Sequence, residues 1–151
     1  MTDETTTVFE IVGGQPFFDA LVERFYMRVE TDRILRPLYP ANLEPGKRAL
    51  ALFLGQYWGG PAAYSAEKGP PRLRMRHAPF AIDAGARDAW LSAMLASVEE
   101  AEAPEVARER LSEYFTMAST AMINRAWETR TSPTSEAPET APTGESARMD
   151  E

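Results

Sequence analysis

The chain has 151 residues, no cysteine and a formal net charge of −7, and hydrophobic residues make up 44% of it. At that length one domain is expected, with enough core to enclose a ligand. An acidic balance suits neither nucleic acid nor an anionic membrane surface, and the missing cysteines exclude disulfides, zinc–thiolate sites, iron–sulfur clusters and thioether-linked cofactors.

Residues 1–7 are acidic and lack the basic and apolar regions of a secretion signal, so they read as a disordered N-terminus of a protein in a reducing, cytoplasmic setting. Between Pro16 and Glu30, the residues Phe18, Leu21, Val22, Phe25 and Val29 recur at spacings of three and four, which predicts an amphipathic helix. Tyr26 falls on its apolar face. A short helical piece over Asp32–Tyr39 is stopped by Pro40. From Pro45 a second stripe of Leu50, Phe53, Leu54, Tyr57 and Trp58 runs to the GGP at 59–61, with Gly46 one turn before Leu50. The uncharged run Ala49–Ala66 is interrupted by Gln56, Gly59, Gly60 and Pro61, so it predicts no membrane insertion.

Residues 61–82 contain Pro61, Gly69, Pro70, Pro71 and Pro79, and most of this stretch reads as loop. Within it, Pro71–His77 has room for about two turns of helix, and Ala78 and Pro79 would close that segment. Asp83 is the expected N-cap of a third helix carrying Ala86, Trp90, Leu91, Met94 and Val98. Pro104 opens a fourth, with Val106, Leu111, Phe115, Ala118 and Met122 as its stripe. No strand alternation occurs, so residues 8–127 are predicted to form an all-α domain. From Glu128 onward there are six acidic residues against two arginines, three prolines and no aromatic or β-branched apolar residue. Residues 128–151 therefore read as a disordered tail. It carries −4 of the −7 and leaves −3 on the rest of the chain.

His77 is the only histidine, and Arg72, Arg74 and Arg76 precede it at alternate positions. By residue type alone, such a histidine is more often a surface or polar-network group than a metal ligand. It is also open to a general-base role beside Glu67 or Asp83, although no motif orders those acids. The segment RLRMRH taken alone would fit a nucleic-acid patch, against the acidic body and without a helix-turn-helix signature. Tyr26, Tyr39 and Trp90 read first as core, each with a polar tip that needs a partner if buried.

Taken together and in order, FYMRV, LYP, FLGQYWGGP, PRLRMRHAPF and RDAWL resemble the group II truncated haemoglobins, short globins that pack helices two over two. The resemblance covers residues 9–124. It implies a truncated globin fold and a haem b cofactor, iron protoporphyrin IX, with His77 at the proximal iron-ligand position. Tyr26 and Trp90 match two polar distal positions, Tyr39 a third, and Leu50 an apolar lining residue, with Phe53 grouped beside it as a cofactor contact. Gly46 stands where many globins carry a distal histidine. The haem propionates would call for guanidinium partners, Arg76 first and Arg72 and Arg74 after it. Further implications are reversible binding of dioxygen and other diatomic gases, with peroxidase or nitric oxide dioxygenase chemistry as the alternative. A reductase and a homodimer are the partners left open, and no nucleic acid is expected.

Overall fold

The structure is a computed structural model that describes residues 6–77 and 82–123. All of its regular elements are helical: α1 (Val8–Ile11), α2 (Gln15–Thr31), a 3-10 turn at Arg36–Leu38, α3 (Glu44–Tyr57), α4 (Ala63–Lys68), α5 (Leu73–His77), α6 (Ala84–Ala101) and α7 (Glu105–Ala121). Helix α2 packs on α3 and α6, and α6 packs on α7, so two helix pairs meet along the α2–α6 seam.

The apolar stripes explain that pairing. Phe18, Leu21, Val22, Phe25 and Val29 of α2 are at most 1% exposed and meet Met94 and Val98 of α6 and Leu111 and Phe115 of α7 in one core. At the outer edge of the seam Arg28 forks onto Glu100, Nη1 to Oε1 at 3.1 Å and Nη2 to Oε2 at 2.7 Å, which fixes the register of α2 on α6. Asp83 caps α6 as the sequence predicts, accepting from the Ala86 amide at 2.8 Å. No helix among the described residues is long and apolar enough to cross a membrane.

Three local expectations are corrected. Thr7, assigned to the disordered N-terminus, is the N-cap of α1 in a reciprocal capping box with Glu10. Residues 63–68, read as loop among the prolines, form α4, held to α3 by Gln56 through Ser65. Val106 lies off the buried stripe at 46% exposure, because Ala107 takes the inward position of that turn. Helix α1 lies against the end of α3, where the Phe9 amide donates to the Trp58 carbonyl at 2.9 Å. Gly59 permits this approach: its φ is +116°, and a Cβ there would stand 2.5 Å from that of Thr7. The expected tail at 128–151 and the closure by Ala78 and Pro79 lie outside the described residues.

Candidate functional site

Between the two helix pairs lies a mostly apolar cavity that opens to solvent. Tyr26, Tyr39, Leu50, Phe53, Arg76, His77 and Trp90, brought together from α2, the 3-10 turn's end, α3, α5 and α6, all line it. Arg72 does not line it. Its backbone instead takes a φ of +44°, a left-handed conformation that non-glycine residues seldom adopt, and turns the chain into α5. Arg74 lies on α5, and Gly46 is buried in α3.

His77 ends α5, and its Nδ1 lies 2.7 Å from the Leu73 carbonyl one turn earlier. A carbonyl only accepts, so Nδ1 is the protonated nitrogen and Nε2 keeps its lone pair. Burial lowers the His77 pKa below the ordinary imidazole value, and the bond to Leu73 opposes that shift. The ring is therefore neutral at pH 7, the form that ligates a transition metal.

In the wall of the same cavity, Tyr26 and Tyr39 are buried edge to face with ring centroids 5.6 Å apart. Trp90 packs at 5.4 Å from Phe25 and 5.8 Å from Phe115. Burial raises the Tyr39 pKa far above the usual phenol range, and a hydrogen bond that the Trp90 indole N–H donates to the Tyr39 oxygen offsets the rise in part. The Tyr39 hydroxyl thus stays a neutral donor. Two phenols and an indole thus meet in a mostly apolar space.

Arg76 is held by the backbone around it. Its Nε donates to the Pro71 carbonyl at 2.7 Å and its Nη2 to those of Lys68 at 2.9 Å and Pro70 at 3.3 Å, while its guanidinium stands 5.8 Å from the Tyr64 ring centre. Tyr64, from the unanticipated α4, is buried in the cavity wall at 5.6 Å from Phe53. A lone aromatic residue between GGP and the next proline pair was the only sign of it. Arg87, within RDAWL, also lines the cavity, and its Nε is buried without a hydrogen-bond partner. Nothing in the spacing of RDAWL sets this arginine apart from a solvated one.

The donor set fits haem. Among the described residues no group of three or more His, Cys, Asp or Glu is placed to hold a metal ion, so a metal at His77 has to bring most of its ligands with it. The cavity's apolar walls and its arginines suit a flat, carboxylate-bearing macrocycle.

Comparison with known proteins agrees with the geometry. The family model described as bacterial-like globin matches residues 7–124. The chain is 37% identical over 112 residues to the group 2 truncated haemoglobin YjbI of Bacillus subtilis, covering 74% of this chain and 85% of that protein. Among solved structures, a haemoglobin of the thermophilic phototroph Chloroflexus aurantiacus superposes with a TM-score of 0.78 at 55% identity, covering 79% of this chain and 98% of that one. The group II truncated haemoglobin of Bacillus anthracis superposes with a TM-score of 0.77 at 35% identity, covering 81% and 94%. The chain belongs to the bacterial-like globin family, among its group II truncated haemoglobins, a membership that implies a haem cofactor.

Proposed function

We propose that this protein is a cytoplasmic haem b protein that binds dioxygen and other diatomic gases reversibly, with His77 as the proximal ligand and Tyr26 and Trp90 as distal donors. The observation that carries this reading is the seating of the neutral, Nδ1-bonded His77 in the same cavity as Tyr26, Tyr39 and Trp90. Haem supplies an iron that takes up small gases.

The chain supplies the rest. The bond to Leu73 sets the tautomer and fixes the ring of His77, which makes its other nitrogen a better-placed and more basic ligand. Leu50 and Phe53 keep the macrocycle's surroundings apolar, so donors aimed at a polar gas act with little competition from water. Tyr26 and Trp90 are donors of that kind, and Tyr39 stands close enough to Tyr26 to take over part of its role. No second histidine exists to do so. The absence of a side chain at Gly46 leaves access to the cavity to Trp90 and to helix motion. In this reading residues 8–127 are the globin domain, and residues 128–151 stand outside it.

A second reading, haem-dependent peroxide reduction, is favoured by one observation. From Trp90 the rings of Phe115, Tyr114 and the half-exposed Tyr57 follow at centroid steps of 5.8, 5.4 and 4.4 Å, a file of aromatic side chains that links the cavity to the surface.

Purified protein reconstituted with haemin decides the first reading. A strong Soret band is expected in the wild type, and His77→Ala should lose haem or bind it weakly. A wild type that takes up no haemin overturns the proposal, and a His77→Ala variant with the wild-type spectrum and affinity moves the ligand to another residue.

A further inference from the structure

We propose that Arg87 is a cofactor-binding residue that holds a carboxylate of the prosthetic group, an inference that rests on the haem reading above. Arg87 is the fourth residue of α6 and borders the same cavity as His77. Its side chain is 26% exposed, yet Nε is shut off from water and has no hydrogen-bond partner. Buried guanidinium nitrogens are ordinarily paired, because a donor taken out of water without an acceptor is destabilising. Among the described residues, the acid paired with Arg87 is Asp88, whose Oδ1 lies 3.3 Å from Nη1 with a side chain 69% exposed and hence well screened. That contact leaves Nε unanswered.

The charge balance of the cavity says what would answer it. Among the described residues, the lining contains two arginines, Arg76 and Arg87, and neither an aspartate nor a glutamate. A ligand that fills this space has to bring the negative charge, and the edge of a guanidinium is shaped to meet the two oxygens of a carboxylate. A neutral gas molecule cannot do so. Arg76 differs from Arg87 in that Nε and Nη2 are already engaged with the carbonyls of Lys68, Pro70 and Pro71, which makes its guanidinium a support of the α4–α5 turn. Of the two arginines, Arg87 is the one with an unmet buried donor.

The test is a chemical double-mutant cycle on the reconstituted protein. Release of haemin and of haemin dimethyl ester to excess apomyoglobin is followed by absorbance for the wild type, Arg87→Met and Arg87→Gln, the last as the variant that keeps a polar group if Met impairs folding. The wild type should release the ester about tenfold faster than the acid, and both variants should release the acid about tenfold faster than the wild type while losing most of the preference between the two porphyrins. The thermal midpoint of the cofactor-free chain should not fall in Arg87→Met, since Nε has no bond there to lose. A variant that prefers the acid as strongly as the wild type overturns the role of Arg87 with the haem reading intact. A wild type that binds neither porphyrin overturns both.

Discussion

Tyr26 and Trp90 stand within helices of 17 and 18 residues, whereas His77 ends a helix of five. The first two are positioned by packing: α2 buries five apolar side chains around Tyr26, and Phe25 touches both Tyr26 and Trp90 with ring centres 5.4 Å away. His77 is positioned by hydrogen bonds within one corner of the chain. Leu73 holds its ring, Arg76 ties the carbonyls of Lys68, Pro70 and Pro71 together, and the chain enters α5 through positive φ angles at Gly69 and Arg72. Five residues of helix have too little propensity to persist alone, so the corner depends on those polar contacts and on the core beneath it. The two groups of residues in one cavity thus draw on different physics, and they should fail differently.

The largest expected effect comes from the packed side. Phe25 is fully buried, and Phe25→Ala should cost about 3–5 kcal/mol of stability through lost burial and the cavity left behind. Urea or thermal unfolding measures it, and a loss well below that range would mean that the α2–α6 seam collapses around the gap. On the hydrogen-bonded side, Arg76→Met should cost only about 1–2 kcal/mol, because the half-buried loop carbonyls can turn to water. Its signature is local: faster hydrogen exchange in α5 and faster haem release, with the α2–α6 core unchanged. Exchange that spreads evenly over both regions would remove the distinction between the two walls.

A smaller effect separates donors from packing within the rigid wall. Trp90→Phe and Tyr26→Phe each delete one neutral hydrogen-bond donor, a change of about 0.5–1.5 kcal/mol, so oxygen dissociation should accelerate roughly two- to tenfold. Trp90 should show the greater change, since the nearby Tyr39 hydroxyl can compensate for Tyr26. Carbon monoxide dissociation, followed in parallel by stopped flow, should change much less. Equal acceleration of both gases would assign the residues to steric gating. Smallest of all is the effect of deleting residues 128–151, which should leave haem content and thermal midpoint nearly unchanged. A lower midpoint in the truncated protein would place part of the tail on the globin domain.

By itself the sequence determined the four long helices and the family. Periodic apolar residues specify a buried face without any partner being known, and Asp83, Pro104 and GGP mark helix ends through local backbone chemistry. His77, Tyr26, Tyr39 and Trp90, which the fold brings to one cavity, were singled out by motifs whose order and spacing carry the globin resemblance. Tertiary structure alone decided which arginine does what. Arg72, Arg76 and Arg87 are the same residue type in similar local sequence, but one turns the backbone, one binds loop carbonyls and one keeps a buried Nε without an acceptor. It also decided that residues 63–68 form a helix, because the bonds from Gln56 to Ser65 and the burial of Tyr64 come from α3 and the cavity wall. A side chain's hydrogen-bond partners depend on what the fold brings within about 3 Å, and no local pattern encodes that distance.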